Sequence, residues 1–340
     1  MDPLSVKTED GESAPFSFMP SSSSAAPARQ LPPQLLMVVL ECGDCIFLYL
    51  RHGSGGDLVF ETARAPPPGN RIVQPGFHLA IDPSSRYMVL GCAQDLFVVY
   101  ELESLDVLNQ QYIRNERLVP VRVQRPRSVQ GVIHKVHFLY PRPEDQHHVI
   151  LLLIIVRNNK SRMVTYEWEL GDDLRRVFSE EKHGHRMPVA NQMPVLIIPL
   201  TVRSAFIAIS QEQVAVCTAG LYGPPNFETM EMENPRPTRN YHGRQRPLWT
   251  AWARPFRLSP YFERRDCLYL AREDGEVIFI EADSESALDR STFMDKFDSN
   301  ISGAFTCLFD QYTDVLVLGS ESGPGAVWKV RATLRTSSVG

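Results

Sequence analysis

Apolar and polar positions along this chain change places every few residues, and the apolar runs are too short for helices. Residues 76–102, GFHLAIDPSSRYMVLGCAQDLFVVYEL, show the pattern best. Phe77–Ile81, Tyr87–Leu90 and Leu96–Tyr100 are rich in β-branched and aromatic residues, which suit a pleated, largely buried surface. Asp82-Pro83-Ser84-Ser85 and Gly91-Cys92-Ala93-Gln94-Asp95 separate them with turn residues. The unit predicts an antiparallel meander of three strands. One such sheet cannot bury both of its faces, so a stable fold needs further units of the same kind.

The unit recurs five more times. Leu36–Cys42, Cys45–Arg51 and Asp57–Glu61 form the first unit. Val132–Tyr140, Val149–Val156 and Met163–Glu169 form the third, and Val195–Leu200, Ala205–Ser210 and Gln213–Thr218 the fourth. Leu248–Ala253, Cys267–Ala271 and Val277–Glu281 make the fifth, and Gly303–Phe309, Asp314–Gly319 and Gly325–Val330 the sixth. The units begin roughly 40 to 60 residues apart, the spacing of propeller blades. The predicted fold is therefore all-β: a β-propeller of six blade-like antiparallel meanders over 35–332, with an incomplete or imperfectly closed ring. Residues 1–34, Pro- and Ser-rich with few large apolar side chains, are expected to be a disordered tail, and 333–340 a short one.

Composition narrows the function classes. A net charge of −5 over 340 residues gives no overall electrostatic footprint for nucleic acid, so such binding would have to use a local patch. The tail has no signal-peptide pattern and no run approaches the roughly 18 apolar residues of a membrane helix; the longest, VILLLIIV at 149–156, has the length of a core strand. No membrane partner is expected. Six cysteines without a signal peptide imply a reducing compartment, and Cys92, Cys217, Cys267 and Cys307 sit in or beside predicted strands as small core hydrophobes. In Cys42-Gly43-Asp44-Cys45 the central pair reads as a two-residue hairpin turn with the cysteines opposite one another.

Nothing assembles a catalytic constellation. His147-His148 and His183-Gly184-His185 lie in polar connections and read as solvated imidazoles. Glu273-Asp274-Gly275 reads as an exposed hairpin turn, and Gly319–Gly323 places Glu321 where a nucleophile elbow requires serine. The expectation is a protein that is not an enzyme, with no cofactor, no metal and no small-molecule substrate. What remains is surface. One connection carries Arg114, Arg117, Arg122, Arg125, Arg127 and Lys135 against Glu116. A second interleaves Arg236, Arg239, Arg244, Arg246, Arg254 and Arg257 with Tyr241, Trp249, Trp252 and Phe256. Arginines among aromatics suit stacking on bases or anchoring a partner chain. The competing reading packs Trp249 and Trp252 between blades and leaves the arginines as a solvated rim.

The blade at 76–102, the HFLY and VTYEWEL runs of 132–170, DCLYLAREDGEVIFIEAD at 266–283, and 302–330 with GSESGPGAVWKV resemble consecutive blades of one family. That family comprises the large subunit of the damage-specific DNA-binding protein, its fungal relative named for methyl methanesulfonate sensitivity, and the related polyadenylation and splicing-factor subunits. The resemblance covers about 36 to 331, is to the amino-terminal propeller, and is strongest to the fungal DNA-repair branch. It implies a nuclear, noncatalytic scaffold in DNA repair that presents receptors to a cullin ubiquitin ligase, with repair or ubiquitin-ligase subunits as partners. The alternative it implies is a propeller that binds nucleic acid directly, as an RNA-processing factor. The family's cullin-docking middle propeller lies outside these residues, so no residue here is assigned that contact. The family's amino-terminal propeller has seven blades, which is why six units predict an open ring.

Overall fold

The computed structural model describes residues 35–331, apart from 41–43, 54, 66–74, 93, 143, 203, 212, 219–224, 230–246, 256–264, 284–289 and 311–312. The expected tails lie outside this range. Six antiparallel sheets follow one another along the chain. Blade 1 contains β1 (Leu36–Val39), β2 (Cys45–His52) and β3 (Leu58–Arg64). Blade 2 contains β4 (Pro75–Ile81), β5 (Tyr87–Cys92), β6 (Leu96–Leu102) and β7 (Val121–Ser128), with helix α1 (Leu105–Ile113) between the last two. Blade 3 contains β8 (Val132–Leu139), β9 (His148–Arg157), β10 (Lys160–Glu169) and the two-residue β11 (His185–Arg186), with the one-turn helix α2 (Leu174–Val177) before β11. Blade 4 is β12 (Leu196–Pro199), β13 (Ala205–Ile209), β14 (Val214–Thr218) and β15 (Asn226–Thr229). Blade 5 is β16 (Trp249–Ala253), β17 (Arg265–Arg272), β18 (Glu276–Asp283) and β19 (Arg290–Lys296). Blade 6 is β20 (Gly303–Asp310), β21 (Thr313–Gly319) and β22 (Ala326–Arg331).

The three-strand meanders are where the apolar pattern placed them, but among the described residues four of the six blades carry a fourth, outer strand. The largest correction is at 121–128. This basic stretch is not a connection: it is β7, paired to β6 with Val98 opposite Pro126 and Phe97 opposite Arg127. An outer strand needs one face and one edge satisfied, so it tolerates charge and a proline that cannot donate. Its sequence therefore carries little strand signal.

The first strands stand side by side about an axis: β4 beside β8, β8 beside β12, β12 beside β16 and β16 beside β20. Central strands are consequently buried on both faces. In β9, Val149, Leu151, Leu153 and Ile155 pack with blade 2, whereas Ile150, Leu152 and Ile154 pack with blade 4. That two-sided burial is why the run VILLLIIV shows no alternation. Polar ties cross the same junctions. Ser204 Oγ donates to the Tyr140 carbonyl (3.0 Å), and the Thr201 amide to Asp266 (2.8 Å). Tyr269 Oη donates to Asp314 (3.0 Å), and Thr306 Oγ1 to the Arg254 carbonyl (2.6 Å).

Five apolar clusters fill the junctions from blade 1–2 to blade 5–6. Among the described residues, no such cluster joins blade 6 to blade 1. The faces that would meet there are apolar and exposed. Leu36, Leu50 and Phe60 lie on blade 1, with Phe60 71% exposed; Phe305 and Val327 lie on blade 6, with Val327 66% exposed. Contiguous apolar sheet faces of this kind drive association. The 340-residue chain is therefore expected to show, by size-exclusion chromatography with light scattering, a mass above monomer that rises with concentration. A monodisperse monomer at all concentrations would contradict open faces.

Cys45, Cys92, Cys217 and Cys267 are buried thiols. Burial pushes Cys92 and Cys217 up to about 12, far from thiolate formation at neutral pH. The first hairpin differs from expectation: Cys45 pairs with Val39, and the Leu40 amide reaches the Asp44 carbonyl (2.9 Å), while Cys42 lies outside the described residues.

Candidate interaction surface

The connection from β6 to β7 begins with Ser104, whose hydroxyl accepts from the Val107 amide (3.3 Å) and starts α1, with Asp106 in the first turn complementing the helix dipole. Of the helix, only Leu108 is buried. Its carboxyl end is held by Arg51 of blade 1. The guanidinium donates to the Tyr112 carbonyl (2.8 Å), to Asn115 Oδ1 (2.7 Å) and to the Glu116 carbonyl (2.7 Å), and pairs with Glu61 (3.1 Å). It also lies 4.7 Å from the Tyr112 ring centroid. A cation on the last carbonyls satisfies acceptors that the helix leaves orphaned. Tyr112 Oη to the Leu50 carbonyl (2.9 Å) fixes the segment further.

This latch presents a mixed surface. Arg114, Arg117 and Arg122 are exposed. Leu105, Ile113 and Val119 are each more than half exposed, at 53%, 57% and 56%. Arg122 pairs with Glu101 (3.0 Å), an exposed bridge of small energetic weight. Arg125 and Arg127 lie farther along β7, partly buried, and do not join that group. Arg127 donates to the Pro126 carbonyl (3.0 Å) and stands 5.9 Å from the Phe178 ring centroid toward blade 3. The basic run is thus divided. The aliphatic partners Leu105, Ile113 and Val119 did not stand out in the sequence, although Ser104-Leu105-Asp106 is a helix-start signal that would have exposed them.

Of the second cluster, Arg236, Arg239, Tyr241, Arg244, Arg246, Phe256 and Arg257 lie outside the described residues. Trp249 and Trp252 open β16 and pack in the cluster between blades 4 and 5, Trp249 being buried and Trp252 partly so. The Arg272 guanidinium covers Trp249 at 5.1 Å, and that of Arg254 covers Trp252 at 5.1 Å. Arg254 holds Asp266 with two bonds (2.8 and 2.9 Å) and the Pro199 carbonyl (2.5 Å). These described members of the motif build the junction. Because strands alternate in direction, the ends of the 230–248 connection, Thr229 and Trp249, lie on the face opposite α1.

Two polar turns also differ from expectation. Asp274 is partly buried and binds Arg272 (2.7 and 2.9 Å), with Lys296 at 3.6 Å. Burial alone would raise its carboxyl, but Arg272 and Lys296 outweigh that and hold it below its ordinary range. His148 belongs to β9, partly buried, with Glu167 at 3.3 Å and Asp145 at 3.8 Å. Among the described residues no group of three or more His, Cys, Asp or Glu is placed to hold a metal.

A cleft of about 300 Å³ opens where blades 2, 3 and 4 meet, lined among others by Asp82, Tyr140, Gln146, His148 and Thr201. Asp82 is committed to its own turn, accepting from the Ser84 amide (3.1 Å) and hydroxyl; burial raises its carboxyl despite these bonds. The lining offers hydrogen-bond donors and acceptors for binding.

Comparison with known proteins agrees with this geometry. The family model described as RSE1/DDB1/CPSF1 first beta-propeller matches residues 7–338. No curated protein matches the chain. Six consecutive antiparallel blades about one axis, matched over almost the whole length by that family model, place this chain in the RSE1/DDB1/CPSF1 first beta-propeller family.

Proposed function

We propose that this propeller is a noncatalytic protein-interaction scaffold acting in the nucleus in genome maintenance, with subunits of a repair or ubiquitin-ligase assembly as its partners. The observation that carries this reading is the latched α1 surface, where exposed Leu105, Ile113 and Val119 stand among Arg114, Arg117 and Arg122. Aliphatic anchors beside arginines are the make-up of a protein interface, in which a few buried anchors supply most of the affinity. The family supports an interaction scaffold for proteins or nucleic acid.

A second reading, direct nucleic-acid binding as an RNA-processing factor, is favoured by the exposure of the same three arginines. Salt separates the two. Three phosphate contacts give an affinity loss on the order of 40-fold between 50 and 200 mM salt, from a slope of about −0.9 per contact. An interface anchored by aliphatic groups changes little over that range. Leu105→Ser/Ile113→Ser should abolish capture of the protein partner, whereas Arg114→Gln/Arg117→Gln/Arg122→Gln should flatten a nucleic-acid salt slope. Affinity purification from native cells with mass spectrometry, run with both variants, checks the assembly. Variant-sensitive recovery of repair or cullin-ligase subunits supports the first reading; recovery of polyadenylation or splicing subunits replaces it with the second.

A further inference from the structure

Asp82 is a buried carboxylate, 3% exposed, on the wall of the cleft where blades 2, 3 and 4 meet. Its bonds are to neutral groups of its own turn: the Ser84 amide (3.1 Å), the Ser84 hydroxyl and the Arg86 amide. Among the described residues no cation pairs with it, and no lysine or arginine lines the cleft. His148, also in the lining, has Glu167 at 3.3 Å and Asp145 at 3.8 Å, so its imidazole brings no uncompensated charge. Enclosing an anion without a cation is unfavourable, and burial accordingly raises the Asp82 carboxyl. A carboxylate accepts about four hydrogen bonds, so the turn does not exhaust this one.

The same face of the propeller shows what such a place holds. Asp266, near the start of β17, is matched by Arg254, whose guanidinium also bonds the Pro199 carbonyl of blade 4 and lies 5.6 Å from the Tyr140 ring centroid. Tyr140 belongs to the lining of the cleft as well. Pro83 and Pro141 add apolar rings beside it, and Ser84 and Thr201 add hydroxyl acceptors. A planar, weakly hydrated guanidinium with five N–H donors suits rings and scattered acceptors better than a compact ammonium does. About 300 Å³ is the low end of ligand pockets and fits one side chain better than a cofactor.

We propose that this cleft receives the guanidinium of an arginine side chain from a partner protein, with Asp82 as its counter-ion. Successive strands of a blade alternate in direction, so the β4–β5, β8–β9 and β12–β13 connections that line the cleft lie on the same face as α1, which follows β6. A partner seated on α1 therefore has the cleft on the side of the molecule that it covers. An arginine whose charge is met by an enclosed carboxylate is the kind of anchor that dominates an interface. That the arginine belongs to a partner rests on the scaffold reading; the preference of the cleft for guanidinium does not.

The test is ligand-observed NMR of the 340-residue chain with N-acetylarginine amide and with the citrulline analogue, which has the same shape and no charge. The arginine amide should bind with a Kd on the order of 1 mM, and the citrulline analogue about tenfold more weakly, the loss expected when a charge-assisted bond becomes a neutral one. Asp82→Asn, which keeps an acceptor for the Ser84 amide, should weaken the arginine amide by about tenfold as well, whereas Glu116→Gln beside α1 should leave it unchanged. No binding at roughly 50 mM, or equal binding of the two amides to the unaltered chain, would overturn the site whether or not the Asp82 variant folds. Affinity purification then assigns the source. Recovery of partner subunits that falls with Asp82→Asn supports an arginine of the partner. Recovery that Asp82→Asn leaves intact and Leu105→Ser/Ile113→Ser abolishes overturns that assignment while the scaffold reading stands.

Discussion

Gly275→Ala is expected to unfold blade 5 at a temperature where the rest of the chain is still sound. Gly275 closes the β17–β18 turn at φ +94°, in the left-handed region, and a Cβ there would stand 1.8 Å from the Phe297 carbonyl oxygen and 3.1 Å from that of Ser299. The obstacle is backbone, which cannot swing aside as a side-chain end can. Relief requires moving the end of β19, which breaks the Phe297 amide bond to the Gly275 carbonyl (2.8 Å) and loosens Lys296 from Asp274. Gly171 provides the control, because its φ is +98° with nothing within 4 Å of a Cβ. Gly171→Ala should cost about 1 kcal/mol from backbone conformation alone, and Gly275→Ala about 4 kcal/mol. Urea titration of both variants measures the difference, and equal midpoints would show that β19 yields without penalty.

Asp266→Ala should be comparably damaging, because one carboxylate ties three blades together. Its side chain is 1% exposed and accepts from the Thr201 amide of blade 4 and from Arg254 Nε and Nη2 in blade 5. Arg254 in turn stands over Tyr140 of blade 3 (5.6 Å) and Trp252 (5.1 Å). Removing the carboxylate leaves a largely buried guanidinium without its counter-ion and the Thr201 amide without its acceptor, for a loss of about 4 kcal/mol. Asp266→Asn should recover part of this, since the amide oxygen still accepts from Thr201. Arg254→Met/Asp266→Leu should be milder than Asp266→Ala, because an apolar pair leaves no charge stranded. Thermal melting of the series checks that order, and a double variant as unstable as Asp266→Ala would show that the loss is one of packing.

Strand placement was legible wherever a strand is sandwiched between two blades. β5, β9 and β17 must be apolar on both faces, so uninterrupted runs of Val, Ile, Leu and aromatics mark them without any knowledge of their neighbours. Outer elements were illegible for the converse reason. β7 keeps Arg122, Arg125, Pro126 and Arg127 because half of its surface is solvated and one edge needs no partner, and its pairing to β6 comes only after the 105–113 helix has turned the chain back. The arginines of 114–127 were visible as charge, but their division between the α1 end and the blade 3 side depends on the register of β7.

The sequence by itself determined the repeating meander, and with it the all-β radial architecture, because burying both faces of small sheets imposes a local period that composition must obey. Only the tertiary structure decided which arginines and aromatics are free. Trp249, Trp252 and Arg254 sit in a stretch as basic and aromatic as any binding motif, yet blade 4 and Asp266 enclose them. Arg114 and Arg117 stay open because Arg51, more than 60 residues earlier in the chain, holds the helix end in place. Adjacency of blades about an axis is likewise a property of tertiary packing, and no local pattern encodes it.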